Sequence, residues 1–314
     1  MSRQKTEYPR MVSIETTNRC NAKCPFCPNS ALSRDRINMS DELFEKVVED
    51  CREFPLKAIE PFLNGEPFVD KKILPRLELI RRRLPDTKLR LYTNGYGLSP
   101  RKIDQLVGLG IDHLYVSLNT LDPDTYKEIM GLNLERTLQN MDYLTDPVRR
   151  DKVARNFTFR MTRSDDTPLS EQAAFQSYCK KRGVRPFIVG LFNYKGEISS
   201  KLPVPNFPCE HITRVDVLAS GIVTLCCMDQ EGEYSWGDAR EDSVLNIYNN
   251  ARATRLKTMH RKGKRKETEP CDKCNVFWPS LEKMPIWSKA KFAIETGMYF
   301  MRYRPSGKKG KRGI

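Results

Sequence analysis

The chain has 314 residues, with 54 lysines and arginines against 40 aspartates and glutamates, an apolar share of 39% and an aromatic share of 9%. This composition excludes a disordered polar chain, and at about 100–200 residues per domain the length suits two domains or one large barrel with an appendage. The opening MSRQKTEYPR is polar, and the longest weakly apolar run, 217–228, is broken by Ser220, Gly221 and Thr224, so neither a signal peptide nor a spanning helix is expected.

From residue 11 to residue 192 short β-rich runs alternate with amphipathic stretches. The runs predict strands at 11–15 (MVSIE), 58–63 (AIEPFL), 88–93 (KLRLYT), 113–118 (HLYVSL), 156–161 (NFTFRM) and 186–191 (PFIVGL). Between them, Ser40 reads as the N-cap of a helix that places Leu43, Val47, Val48 and Cys51 on one face. Ser99-Pro100 starts another, with Ile103, Leu106 and Val107 inward and Gly108 to Gly110 closing it. Further helices fit 71–84, 124–144 with a break near Gly131, and 170–181. Repeated strand–helix units imply a parallel sheet with right-handed crossovers, open or closing toward a barrel. In such folds the chemistry gathers at the carboxyl ends of the strands. Here those ends carry 18–27, Asn64-Gly65-Glu66-Pro67, Thr93-Asn94-Gly95, and Ser117 with Asn119. Any one of these loops alone is explained by turn chemistry.

Beyond residue 195, Pro203, Pro205 and Pro208 mark a linker, and a hairpin pattern follows at 215–218 and 222–225, joined through Ala219-Ser220-Gly221. The boundary falls near 200. It divides the chain into 1–199, a cysteine-rich segment 200–280, and a tail 281–314 that is first apolar, enough to form a docking or interfacial helix, and then basic. The charge excess is local. The segments 252–266 and 301–314 hold eight and six basic residues and no acidic one, which accounts for the whole net charge of +14. Such blocks read first as solvated faces and second as docking sites for acidic partners.

Ten cysteines in a chain of intracellular character point to metal or redox chemistry rather than disulfides. Cys20, Cys24 and Cys27 form a C-x3-C-x2-C loop, and none of the three histidines, His113, His211 and His260, lies near it in sequence. Thiolates are soft ligands, and a structural zinc site needs a fourth one. Three cysteines instead suffice for three irons of a [4Fe–4S] cube, leaving one iron open. Toward the other end, Cys209, Cys226, Cys271 and Cys274 supply four thiolates, enough for a closed zinc or iron–sulfur site. Cys226 and Cys227 are expected on opposite faces of a strand, so that only one ligates. Cys51 and Cys179 sit on apolar helix faces and read as small core residues.

A C-x3-C-x2-C loop with Phe26 before its last cysteine, placed after the first strand of an α/β chain, resembles the radical S-adenosylmethionine (SAM) superfamily. The resemblance implies a partial (β/α)6 barrel, in agreement with six predicted strands. It implies a [4Fe–4S] cluster on Cys20, Cys24 and Cys27 whose open iron is chelated by the amino and carboxylate groups of SAM. One electron from such a cluster cleaves SAM to methionine and a 5′-deoxyadenosyl radical. By the same resemblance Asn64, Gly65 and Glu66 form the loop that receives the SAM amino group. Thr93, Asn94, Ser117 and Asn119 are the polar strand-end residues near methionine or ribose, and Arg160 meets the carboxylate. Two positions depart from the common pattern: Asn64 stands where many members have glycine, and Asn119 where aspartate is common.

The C-terminal segment resembles the SPASM and twitch extensions of that superfamily, whose recurrent hairpin motif is matched by Gly221-x4-Cys226. This spacing selects Cys226 over Cys227, and four or five cysteines are enough for one auxiliary [4Fe–4S] cluster. The implied activity is hydrogen-atom abstraction from an unactivated C–H bond. The favoured outcome is dehydrogenation of a small-molecule or carrier-linked substrate, with the auxiliary cluster accepting an electron; an anionic substrate would suit the basic C-terminus. Modification of a peptide by the same chemistry is the alternative. An electron donor such as flavodoxin or ferredoxin and a cytoplasmic location are implied with it. A reading from another class is a zinc-ribbon nucleic-acid binder, with both cysteine groups structural and the basic segments on phosphate. The missing fourth ligand near residue 20 and the glycine–acid loops at successive strand ends favour the enzyme.

Overall fold

The computed structural model describes residues 6–276 apart from 165, 201–203 and 206, together with residue 294. The expected tail therefore lies outside the described residues, Ile294 excepted. Six strands, β1 (Met11–Ile14), β2 (Ala58–Glu60), β3 (Lys88–Thr93), β4 (His113–Ser117), β5 (Phe157–Arg163) and β6 (Arg185–Gly190), alternate with helices in chain order. The helices are α1 (Asp41–Asp50), α2 (Ile73–Arg83), α3 (Pro100–Leu106), α4 (Pro123–Met130), α5 (Leu134–Leu144), α6 (Pro147–Val153) and α7 (Leu169–Lys181). Then come β7 (Arg214–Val217), β8 (Ile222–Thr224), β9 (Ser235–Asp238), α8 (Val244–Asn249) and α9 (Ala251–Arg261). The nine strands of the described residues share one sheet in the order β6-β5-β4-β3-β2-β1-β7-β8-β9. The pairs within β1 to β6 are parallel, which makes this part a partial (β/α)6 barrel.

The strands alternate in a way that builds a hollow. In β3, Leu89 and Leu91 are fully buried while Arg90 and Tyr92 are half-buried; in β4, Leu114 and Val116 alternate with Tyr115 and Ser117 in the same manner. With a period of two, the aliphatic set packs against the helices and the polar and aromatic set faces the concave side. The helices start where side chains satisfy free N–H groups. Ser40, Ser99, Asp122 and Asn133 accept from Leu43, Lys102, Thr125 and Arg136, each cap contributing about 1 kcal/mol. Gly131, at φ 67°, ends α4 in the left-handed conformation, which is the expected break between α4 and α5.

Several expectations are corrected. Val107 is not inward: it is the C-cap of α3, its backbone turns extended there, and the side chain is 40% exposed. Strand β8 ends at Thr224, so Cys226 and Cys227 lie in the following turn, closed by Asp229 N donating to Cys226 O at 2.9 Å, and not on a strand. The basic block 252–266 is no solvated face throughout, because α9 and the turn after it bury Lys257 and Arg265. Helix α6, strand β9 and helices α8 and α9 were unforeseen. Cys51 and Cys179 are buried in the core.

The hairpin segment does not hang apart from the barrel. Strand β7 pairs in parallel with β1, with Val12 opposite Val215. Glu15, fully buried, accepts Arg34 Nη1 at 2.7 Å, Asn64 Nδ2 at 2.9 Å and Ala219 N at 2.8 Å. One carboxylate thus ties the end of β1 to the loop after β2 and to the hairpin turn. No helix among the described residues is long and apolar enough to cross a membrane.

Candidate active site

The loop after β1 carries Cys20, Cys24 and Cys27 and is fixed by polar groups at its edges. Asn18 donates to Asp35 O at 2.6 Å and accepts from Ile37 N at 2.8 Å, and Asn29 Nδ2 donates to Asn64 O at 2.6 Å. Lys23 N donates to Met130 O at 3.0 Å, and Cys27 N to Cys24 O at 3.0 Å. The loop after β2 lies directly against it. Glu66 N donates to Arg19 O at 2.9 Å, and a Cβ on Gly65 would stand 2.2 Å from Thr17 O. Glycine is required here by close backbone approach, not by an unusual φ.

Glu66 is buried and organises the next strand end. Its carboxylate accepts from Thr93 Oγ1 at 2.7 Å, Asn94 N at 2.7 Å and Phe68 N at 3.1 Å. A carboxylate has about four acceptor positions, so one remains for a ligand. Asn94 Nδ2 in turn donates to Asn21 Oδ1 at 2.8 Å, inside the cysteine loop. Asn119 is held on both sides, by Met130 Sδ at 3.0 Å and Thr162 N at 2.9 Å, and Cys24 Sγ lies 3.4 Å from the same sulfur.

Cys20, Cys24, Cys27, Phe26, Asn64, Gly65, Glu66, Thr93, Asn94, Ser117, Asn119 and Arg160 all line one cavity of about 900 Å³ on the concave side of the sheet. Arg160 has its guanidinium 5.6 Å from the Tyr92 ring centroid and 5.8 Å from that of Phe187. No carboxylate among the described residues pairs with it. Further residues of this cavity were missed in the sequence: Glu60, Tyr92, His113, Tyr115, Tyr194 and Arg214. Tyr92, Tyr115 and His113 stack in a row at 4.3 Å and 3.9 Å between centroids. The signal that could have found them is the alternation of polar or aromatic with aliphatic residues in KLRLYT and HLYVSL.

Burial pushes the Cys20 and Cys24 thiols up to about 12, and the neighbouring thiols add to the effect. Burial also raises Cys27. Three thiolates in this loop therefore need a cationic group among them. A zinc ion would require four donors, those from cysteine about 2.3 Å away. Among the described residues no three His, Cys, Asp or Glu side chains converge closely enough to share one ion. A cluster spreads its irons over a cube and accepts donors set wider apart, so the loop fits an iron–sulfur cluster better than a single ion.

The second group of cysteines closes on itself. Cys209, Cys226, Cys271 and Cys274 line a small cavity of about 20 Å³ together with His211, Met228, Lys195 and Arg265. Burial raises Cys209 to about 11 and Cys271 to about 12. Cys227 does not reach this cavity. It lines the large one, with Sγ 3.1 Å from His211 Nδ1. Neighbouring residues of one turn thus face two different cavities. All ten cysteines are free thiols.

Comparison with known proteins identifies two domains. Residues 14–155 match the radical SAM superfamily, and residues 209–275 match the iron–sulfur cluster-binding domain called SPASM. The chain is therefore a radical SAM protein with a C-terminal SPASM domain, a class that carries a [4Fe–4S] cluster with SAM and auxiliary iron–sulfur binding. It is 28% identical over 146 residues to a GTP 3′,8-cyclase of Clostridium perfringens (strain SM101 / Type A), covering 44% of each chain. It is 32% identical over 131 residues to a PqqA peptide cyclase of Granulibacter bethesdensis, covering 40% of this chain and 33% of that one. The match spans about half or less of the length of these curated relatives. The fold is similar to that of BtrN in complex with AdoMet and 2-DOIA, at a TM-score of 0.66 and 20% identity, over 89% of this chain and 98% of that one.

Proposed function

We propose that the protein removes a hydrogen atom from a small or carrier-linked, anionic substrate in the barrel cavity and completes the reaction as a dehydrogenation. The observation that carries this reading is a shared wall: His211 and Met228 line both the large cavity and the four-cysteine cavity, with Cys227 facing the first and Cys226 the second. When bound, the SAM-ligated cluster supplies a 5′-deoxyadenosyl radical and the auxiliary cluster a one-electron acceptor, so that the substrate gives up a hydrogen atom, an electron and, to solvent, a proton.

The protein's own residues would do the positioning. Cys20, Cys24 and Cys27 would hold the first cluster, and Cys209, Cys226, Cys271 and Cys274 the second. The remaining acceptor position of Glu66 suits the ammonium of SAM, and the charge-assisted bond would be stronger than a neutral one. Phe26, Thr93, Asn94, Ser117 and Asn119 form the rim on which methionine and ribose would rest. Arg160, paired with no carboxylate among the described residues, is placed to meet an anionic group, and the stacked rings of Tyr92, Tyr115 and His113 offer a flat wall beside it. A flavodoxin or ferredoxin would deliver the first electron in the cytoplasm, where thiols stay reduced. Peptide modification is the second reading, favoured by the likeness to PqqA peptide cyclase.

The test is anaerobic incubation of reconstituted protein with SAM, dithionite and deuterated candidate substrates. Wild type should form 5′-deoxyadenosine and carry deuterium into it. A folded Cys271→Ala/Cys274→Ala variant should still cleave SAM yet yield no oxidised product. Normal turnover by that variant would overturn the dehydrogenation and leave a redox-neutral radical reaction.

A further inference from the structure

Four lysines and arginines among the described residues are buried: Arg76, Lys195, Lys257 and Arg265. Three have carboxylate partners, with Arg76 2.9 Å from Asp70, Lys195 2.9 Å from Asp229 and Lys257 3.4 Å from Glu7. Arg265 is the exception. It is 1% exposed, and its Nη2 donates to Cys274 O at 2.8 Å and Val276 O at 3.1 Å. Its Nε and Nη1 meet no acceptor, although both atoms are buried. A guanidinium cannot give up its proton to escape this, and leaving a buried cation with unmade hydrogen bonds is costly. Its side chain lines the small cavity formed by Cys209, Cys226, Cys271 and Cys274.

The structure assigns to Arg265 the role of fixed counter-charge to an iron–sulfur cluster on these four cysteines, its free Nε and Nη1 groups donating to the anionic thiolate or sulfide face and holding the cluster's reduction potential up. The inference deepens the functional reading above and rests on it. A cluster with four thiolates is net negative and becomes more so on taking up an electron, so a cation and N–H donors beside it favour the reduced form. That is the direction an acceptor needs if it is to take an electron from the substrate after hydrogen removal. Arg265 does not touch the substrate in this account; it acts by positioning charge.

The experiment is a redox titration of the auxiliary cluster, followed by electron paramagnetic resonance with dithionite as reductant. It uses the full chain in the Cys20→Ala/Cys24→Ala/Cys27→Ala background, where only the second cluster should contribute. Arg265→Gln keeps donors for the two carbonyls and removes the charge; Arg265→Lys keeps the charge. The Gln variant should titrate at a potential lower by at least tenfold in the reduction equilibrium, about 59 mV for one electron. The Lys variant should stay within threefold of the parent. A Gln variant that holds its iron and titrates at the parent potential overturns the proposal. If the Gln variant fails to hold iron, the Lys variant decides: parental iron and potential uphold the counter-charge, and loss of the cluster there too shows that Arg265 is a packing residue. Absence of any cluster in the parent would instead refute the assignment of the four cysteines, which is the underlying reading.

Discussion

Gly65 offers the sharpest perturbation of the proposed SAM site, because the strain a side chain there would introduce can be read from the structure. A Cβ at this position would lie 2.2 Å from Thr17 O, 2.8 Å from Arg19 O and 2.9 Å from Thr17 C. All three are backbone atoms leading into the cysteine loop, so no rotamer change relieves the clash. Contacts under 3.0 Å are essentially never made by real Cβ atoms, and the shortfall at Thr17 O, 3.0 less 2.2, is 0.8 Å. Moving the two loops apart by that amount would stretch the Glu66 N to Arg19 O bond from 2.9 Å to about 3.7 Å, beyond hydrogen-bond range. Gly65→Ala should therefore lose about 1–3 kcal/mol of stability, the usual range for overpacking. It should also bind SAM at least tenfold more weakly, about 1.4 kcal/mol, because the carboxylate of Glu66 moves with its backbone. The assay is anaerobic equilibrium dialysis of SAM at matched iron content, beside a thermal melt. Gly97→Ala is the control: its Cβ would meet Phe68 Cβ at 3.1 Å and the Phe68 backbone no nearer than 3.7 Å, and SAM affinity should change less than twofold. Wild-type affinity and iron in Gly65→Ala would refute the claim that this close approach sets the site.

Two further outcomes are expected. Anaerobically reconstituted protein should carry about eight irons in two four-iron clusters, and replacing Cys20, Cys24 and Cys27 together by Ala should remove about half; stoichiometric zinc without iron would favour the zinc-ribbon reading. His113, which bonds Thr158 Oγ1 at 2.8 Å, is held down to about 4 by burial first and then by Arg90 and Arg185. Its proton binds more readily in the unfolded chain, so its contribution to stability is full above 6.5 and is lost as pH falls toward 4. The melting temperature should drop through that window, and less steeply in His113→Gln; identical pH profiles would refute the assignment.

The barrel was legible because its signals are local. Each expected strand among the first six is found within a few residues, since alternation and flanking caps are properties of short segments. The twelve candidate residues of the first site also converge on one cavity, because parallel strands deliver their carboxyl-end loops to one rim whatever their separation in sequence. What escaped depends on contacts between distant segments. Nothing in 214–217 announces that β7 will pair with β1 and extend the barrel's own sheet. Helix α9 carries a polar and basic sequence whose buried positions, Leu256 and Lys257 among them, are defined by the segments it meets, Glu7 among their residues.

The basic block 252–266 shows how far a charge count can mislead when read as a surface. Within it, Arg261 and Lys257 both reach Glu7, at 2.7 Å and 3.4 Å, so two of its charges fasten the segment before β1 to α9. Arg265, eight residues beyond Lys257, lines the cavity of the thiols and pairs with no carboxylate among the described residues. The difference is not in the residue type or the neighbours in sequence; it lies in what the fold brings opposite. Glu7 is available to α9 because β1 pairs with β7, which brings the N-terminal segment alongside. The cavity of the four cysteines already holds four groups that become anionic when they ligate, so a carboxylate there would compete for the same cation. On this reasoning the placing of an acid opposite Arg265 would weaken cluster binding, whereas an acid opposite Lys257 stabilises the helix. One run of positive charge thus serves as a clamp at one turn and as a cluster's counter-charge at the next.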